Sequence, residues 1–120
     1  MPAKKTHILI EQGASFSQDF LWLDGNNTPP TPIDLTGYSA RMQIRRHHDS
    51  AEAILDVTNA GTEITLGTAD GTITVSLDEA ASAALPAPFY GVYDLEVEDE
   101  SGYVTRLIEG HVEIRPEVTR

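Results

Sequence analysis

The histidines are the side chains best suited to metal binding or proton transfer in this sequence, and they are scattered along it. They are His7, His47, His48 and His111. None takes part in an HxH or HExxH arrangement, the spacings that bring two rings to one ion. His47 and His48 are adjacent, so on an extended chain their rings point to opposite sides. We therefore predict no metal site, and we expect His47 and His48 to lie in a solvated turn.

Carboxylates are numerous, but their spacing does not predict catalysis. Asp94, Glu96 and Glu98 alternate along one stretch, which places them in a row on one strand face, where like charges repel and stay hydrated. A catalytic pair would need surroundings that move two pKa values apart. The segments 24–27 and 70–71 contain Asp-Gly steps, yet they lack the spaced ligands and terminal glutamate of a calcium loop. These patterns predict neither a catalytic pair nor a bound calcium ion.

Motifs for nucleophilic chemistry are missing from the sequence. The chain contains no cysteine, no GxSxG, no P-loop and no GxGxxG, so acyl transfer, thiol chemistry and nucleotide binding lack their usual residues. We therefore predict a protein that is not an enzyme and that uses no cofactor. We therefore look for function in contacts made by the protein surface.

Five residues are predicted as a candidate interface, and each has an alternative inside the domain. Phe20 and Trp22 share one face of the most apolar stretch, 16–23; they could be anchors for another subunit or part of the domain's own core. Arg41, Gln43 and Arg45 form a positive row. That row could meet the acidic row of the last hairpin on a neighbouring subunit, or the same row within one chain.

A period of two in hydrophobicity runs through most of the chain and predicts strands with one buried face. Near the end of 16–23, apolar residues on both faces predict burial on two sides. Residues 24–32 contain three prolines and predict an exposed loop. Residues 78–85 predict one short helix, capped by Asp78 and stopped by the prolines that follow. The predicted strands cover 7–11, 16–23, 35–46, 53–58, 63–66, 72–77, 90–98 and 103–113.

This spacing predicts an all-β fold: an antiparallel, immunoglobulin-like β-sandwich of about seven to nine short strands with one short helix near residues 78–85. At 120 residues we expect a single domain, with 1–17 as an N-terminal strand or arm and 18–120 as the sandwich. Whether 1–17 pairs within the domain or with a neighbour is left open. Tyr93 could be a corner tyrosine bonded to the preceding loop, or an ordinary core tyrosine.

The charge distribution bears on partners and location. The net charge is −11, and residues 49–120 carry three arginines against fifteen carboxylates. Such a field repels phosphate backbones, so we predict no nucleic-acid partner. No uncharged run approaches the roughly 20 residues needed to span a bilayer, which predicts no membrane partner either. We expect a soluble protein released in the cytoplasm of the cell that makes it.

Several segments resemble a family of small proteins encoded by tailed phages and prophages. They are DLTGYSARMQIR at 34–45, GTITV at 71–75, LPA at 85–87, YDLEV at 93–97, VTRLIEG at 104–110 and PEVTR at 116–120. The chain is also similar in outline to the immunoglobulin-like N-terminal domains of upper baseplate proteins, which share the LTG entry into a strand. The resemblance covers most of the chain from Phe20 onward and covers the segment up to about Ser17 poorly.

Membership of that family implies a non-enzymatic structural protein of the virion, with no catalytic residues to carry over. The expected role is a tail or baseplate adaptor or attachment domain that contacts other virion proteins and forms a homo-oligomer or is present in several copies in the particle. Capsid decoration or a neck position is an alternative within the virion. A host-surface or carbohydrate-binding module is an alternative of another class, and an exposed Trp or Tyr beside the loop 24–32 would favour it.

Overall fold

Strands make up about half of the chain, and the longer ones have one buried face, as the period-two pattern predicts. The structure is a computed structural model that describes residues 3–25 and 28–119. Eight of its strands have three or more residues, within the predicted number. The elements are β1 (Lys4–Lys5), β2 (Ile8–Glu11), β3 (Phe16–Leu21), β4 (Leu23–Asp24), β5 (Thr31–Pro32), β6 (Ser39–Arg45), β7 (Leu55–Thr58), β8 (Ile64–Leu66), β9 (Thr72–Leu77), α1 (Glu79–Ala83), β10 (Phe89–Glu98) and β11 (Val104–Arg115).

The larger sheet has the strand order β1-β11-β10-β6-β7, and β2 also pairs with β11. Strands β10 and β11 form the longest hairpin, which confirms the prediction for the last third of the chain. Its register shifts after Leu95, and Leu95 itself is completely buried. The smaller sheet has the order β3-β9-β8. The inner faces of these sheets supply one core, in which Ile44, Ile73 and Ile114 are at most 1% exposed.

The short helix lies where it was predicted, between β9 and β10. The Asp78 side chain accepts a hydrogen bond from the Ala81 amide (2.8 Å), as an N-cap residue does. Ser82 is fully buried; its hydroxyl donates to the Ala14 carbonyl (2.7 Å) and accepts from the Gly13 amide (3.0 Å). The helix is thereby attached to the turn between β2 and β3.

Several predicted boundaries differ from the structure, and two of the differences have a local cause. The strand predicted from residue 35 begins at Ser39, because Leu35 and Tyr38 close a turn through a hydrogen bond from the Tyr38 amide to the Leu35 carbonyl (3.0 Å). The predicted loop 24–32 is closed at its base by the pairing of β4 with β5. Asn26 and Asn27, at the centre of that loop, lie outside the described residues.

The N-terminal segment packs within its own domain. Strand β2 pairs in parallel with β11, and its Ile8 and Ile10 side chains are buried in the core. The Tyr93 hydroxyl donates a 2.7 Å hydrogen bond to the Thr6 carbonyl. The corner-tyrosine prediction is therefore wrong. Tyr93 reaches the N-terminal segment and not the preceding loop, because Gly110, its neighbour on β11, lies directly beneath Thr6.

Burial raises the pKa of Tyr93 to about 12, which leads to a pH-dependent prediction. An unfolded tyrosine has a pKa near 10, so the unfolded chain releases this proton first. The free energy of unfolding should therefore fall as the pH rises from about 10 to about 12, and Tyr93→Phe should reduce that fall. Urea unfolding at about pH 9 and pH 11 measures it, with Tyr103→Phe as the control that removes an exposed hydroxyl. An equal fall in wild type and Tyr93→Phe would contradict the assignment.

Candidate functional site: a cleft on the open side of the sandwich

A cleft of about 700 Å³ opens between the two sheets on the side where β3 and β11 face each other. We call it the cleft. Because β3 ends beside it and β11 begins there, both strands contribute side chains to its walls, together with β1 and β4. Its apolar lining consists of Ala3, Phe20, Leu21, Trp22, Leu23, Ile73, Tyr103, Val104, Leu107 and Ile108.

The cleft is open because the facing edges of the sheets are unpaired there. Among the described strands, β3 pairs with β9 alone. On the outer side of β11, β1 pairs only at Ile108 and Glu109, and β2 pairs further along, from Val112 to Arg115. In the described chain, the beginning of β11 and most of the outer edge of β3 thus present unpaired backbone groups, which is the property that lets an edge strand accept another strand. On β3, the Asp19 carbonyl accepts a 3.2 Å hydrogen bond from the Gln18 side chain.

The turn between β10 and β11 places Tyr103 at the mouth of the cleft. The Asp99 carboxylate accepts hydrogen bonds from the Ser101 hydroxyl (2.7 Å) and from the amides of Ser101 (2.9 Å) and Tyr103 (3.0 Å). These hydrogen bonds lower the pKa of Asp99, and the bond from the Ser101 hydroxyl has the largest effect. The turn that positions Tyr103 is therefore ordered by side-chain bonds within five residues.

Large apolar side chains on the walls of the cleft are exposed to solvent. Of six exposed large hydrophobic residues in the described chain, four line the cleft: Leu21 (59%), Leu23 (40%), Tyr103 (70%) and Val104 (50%). The predicted burial of both faces at the end of 16–23 is wrong. Leu21 and Leu23 point away from the core, and no described layer covers that face of the smaller sheet.

Phe20 and Trp22 lie at the inner side of the cleft and belong mainly to the domain. Phe20 is 7% exposed and part of the core, the alternative that the sequence left open. Trp22 is half-buried and packs edge-to-face on Tyr38, with ring centroids 5.8 Å apart. The exposed apolar contacts of the cleft come instead from Leu21, Tyr103 and their neighbours. Tyr103-Val104 follows Gly102 as two adjacent apolar residues, a local break in alternation that could have indicated exposure.

The positive row lies elsewhere, on the outer face of the larger sheet, and is bonded within the chain. Arg41 donates two hydrogen bonds to Asp56 (3.2 and 3.0 Å), and Gln43 donates one to the same carboxylate (2.9 Å). These hydrogen bonds lower the pKa of Asp56, and the bond from Arg41 has the largest effect. Arg45 donates to the Ser50 carbonyl (2.8 Å) and to Gln43 (2.9 Å).

The acidic row of the last hairpin is adjacent to this positive row. In the β6–β10 ladder, Arg41 lies opposite Glu96 and Gln43 lies opposite Asp94. On the other side, Arg106 lies 3.4 Å from Asp94, 3.9 Å from Glu96 and 3.4 Å from Glu109. The two rows thus meet within one domain. Contact of the positive row with a neighbouring subunit stays a prediction.

The chemistry available at the cleft is that of apolar contact and strand pairing. Its charged lining residues are Lys4, Arg106 and Glu109. Within residues 3–25 and 28–119, no group of three or more His, Asp or Glu side chains could hold a metal ion. The described helix is too short and too polar to cross a membrane. The arrangement suits the binding of an extended apolar segment.

Comparison with known proteins adds the fold. No protein-family model matches the sequence, and no curated protein matches it. A solved structure, the crystal structure of a chicken TCR, superposes with a TM-score of 0.55 at 10% sequence identity. The match covers 98% of this chain and 56% of that chain, so this chain spans little more than half of the receptor chain. Together with the sheets described above, this likeness shows an immunoglobulin-like β-sandwich.

Proposed function

We propose that this chain is a non-enzymatic structural protein of a tailed-phage virion, an adaptor or attachment domain of the tail or baseplate region that docks onto other virion proteins through the cleft. The observation that carries the docking role is the cluster of exposed Leu21, Leu23, Tyr103 and Val104 around a cleft of about 700 Å³. The virion assignment is supported by the resemblance of 34–45, 71–75 and 93–110 to phage proteins.

The composition of the cleft is that of a protein contact. The core of a protein interface is depleted in charge and enriched in aromatic and large apolar side chains. The outer face of the larger sheet has the opposite character, since Arg41, Asp56 and Arg106 form exposed ion pairs there. Because exposed apolar side chains flank the cleft and its charged lining is limited to Lys4, Arg106 and Glu109, it has the features of a binding surface.

Two alternative functions were predicted from the sequence, and they differ in what they require of the structure. A capsid-decoration or neck protein would use the same cleft and differ only in its place in the particle. A carbohydrate-binding module would need an aromatic ring presented flat to solvent beside the loop 24–32. Trp22, the aromatic residue closest in sequence to that loop, instead packs edge-to-face on Tyr38 at 86°.

Removing two exposed apolar side chains from the cleft tests the proposal. In phage particles produced from a genome carrying Leu21→Ser and Tyr103→Ser, we expect about tenfold less of this chain, because each truncation removes contact area worth 1 kcal/mol or more, as at interface hot spots. The matched control carries Tyr90→Ser and Val118→Ser, which remove an exposed tyrosine (66%) and an exposed aliphatic side chain (92%) away from the cleft. Quantitative mass spectrometry of purified particles measures both.

The wild-type particle decides the virion assignment itself. Cryo-electron microscopy should show density for an immunoglobulin-like domain at the tail or baseplate, with a neighbouring protein in the cleft. Density over the capsid would move the proposal to decoration. Absence of the chain from purified particles, or equal incorporation of the cleft and control variants, would overturn the docking proposal.

A further inference from the structure

Strand β3 is the longest edge strand of the described sheets, with six residues against two to four in the others, and it has little protection against pairing. Edge strands are usually short, or carry lysine or proline, which discourages association with another sheet. Strand β1 consists of two lysines, β8 has three residues and β7 presents the exposed Asp56. Strand β3 has six residues, no proline and no basic residue, and spans about 20 Å.

The charge on β3 is low enough for two copies of this acidic chain to approach through it. A chain of net charge −11 repels its own copies at most surfaces. Strand β3 carries one charged residue in six, Asp19, and the Thr74 hydroxyl donates a 2.8 Å hydrogen bond to it. Its inward positions, Phe16, Gln18 and Phe20, alternate with the outward Ser17, Asp19 and Leu21.

Antiparallel pairing of β3 with β3 of a second copy gives favourable cross-strand pairs in the register centred on Gln18. With Gln18 opposite Gln18 on the two-fold axis, Phe16 lies opposite Phe20, and Ser17 lies opposite Asp19. Apolar side chains then meet on the inner face, and a hydroxyl donor meets a carboxylate on the outer face. The alternative with Asp19 opposite Asp19 places like charges together and is disfavoured.

We infer that two copies of this chain pair through their β3 strands in the register centred on Gln18, joining two three-stranded sheets into one of six strands. The inference rests on the proposed function in one respect, that contacts form on the open side of the sandwich. The second copy covers part of the unpaired β3 edge and of Leu21, which falls opposite Ser15. The partner at this edge is therefore a second copy of the same chain.

Charge substitutions on β3 test both the contact and its register. For the purified full-length chain, analytical ultracentrifugation should show a dimer at about 100 μM. Ser17→Asp places a second carboxylate opposite Asp19 at two symmetric positions and should weaken the dimer about 2- to 30-fold. Adding Asp19→Lys to that variant should restore it. Thr65→Asp, the same charge change on exposed β8 of the same sheet, should have no effect.

Cross-linking gives a readout that does not depend on affinity. The chain has no cysteine, so a disulfide between a Ser17→Cys chain and an Asp19→Cys chain reports this register alone. We expect that mixed disulfide on oxidation, and no disulfide for Thr65→Cys. A monomer at about 100 μM, or a dimer that neither cross-links nor responds to the charge swap, would overturn the inference.

The two proposals fail in different ways. A monomeric chain that is still found in the particle would overturn β3 pairing and leave the virion role standing. A chain that dimerises through β3 but is absent from the particle would overturn the virion role and leave β3 pairing standing.

Discussion

Replacing Phe89 by alanine is expected to lower the free energy of unfolding by about 3–5 kcal/mol, the usual cost of truncating a fully buried phenylalanine. Phe89 begins β10 and is 1% exposed. The guanidinium of Arg46 lies 4.8 Å from the centre of its ring, so truncation also removes a cation–π contact. Since β10 pairs with both β11 and β6, a cavity at its start weakens the central part of the larger sheet. Urea unfolding followed by tryptophan fluorescence measures the change.

The next residue provides the control for this prediction. Tyr90 is 66% exposed, and its hydroxyl contacts only Glu113 among the described side chains (3.1 Å). Tyr90→Ala should change the free energy of unfolding by about 0.5 kcal/mol or less, as is usual for surface substitutions. Equal losses for the two variants would show that Phe89 does not have the buried position assigned to it.

Replacing Gly110 by alanine is expected to lower the free energy of unfolding by about 1–3 kcal/mol, the usual cost of overpacking. A Cβ atom at this position would collide with the Thr6 carbonyl. The clash displaces the acceptor of the Tyr93 hydroxyl and strains the hydrogen bond from the Thr6 amide to the Glu109 carbonyl (3.0 Å). The N-terminal segment should therefore loosen from β11 before the rest of the sandwich unfolds. Hydrogen exchange of the Ile8 and Ile10 amides measures this local loosening.

Gly25→Ala is the matched control for Gly110→Ala, because Gly25 lies in open space. Gly25 has no atom within 4 Å of an added Cβ, so Gly25→Ala should leave both stability and the exchange of β2 unchanged. If Gly110→Ala left the exchange of Ile8 and Ile10 at the wild-type rate, the N-terminal segment would not depend on the close approach at Gly110.

The two outer faces of the sandwich indicate how the domain could be oriented in an assembly. The larger sheet presents the ion pairs of Arg41 and Arg106 to solvent. The smaller sheet presents Ser17, Thr65, Thr74 and Ser76, with Asp19 as the charge on β3. A charge-poor face beside the cleft costs less to desolvate than a charged one. Both proposed contacts therefore lie on the side where dehydration is least costly.

Much of the fold could be predicted from sequence because its local signals agree. The alternation in Ser39–Arg45 and Phe89–Glu98 predicts strands with one buried face, and Ala40, Met42 and Ile44 are buried as expected. Asp78 followed by alanines predicts the helix, and its side chain caps it. These predictions succeed because period, capping and turn chemistry are set by residues only a few positions apart.

The candidate site could be predicted only in part, because exposure depends on what lies across from each strand. Alternation correctly groups Leu21 and Leu23 on one face of the segment 16–23, but only the strand order shows that this face has no covering layer. Tyr93 is recognisable as a core tyrosine, whereas its bond to Thr6 requires two segments 87 residues apart to meet. Likewise, Arg41 meets Asp56 because β6 pairs with β7.

By itself, the sequence determined the immunoglobulin-like class of the fold, the short helix, the long last hairpin and the net negative charge, since each follows from residue types and their periodicity. Tertiary structure alone decided that the N-terminal strand joins β11, that the charged rows neutralise each other on one face, and that a cleft stays open beside β3. The physical reason is that strand pairing and burial are relations between distant segments, and a period of two does not specify which edges meet.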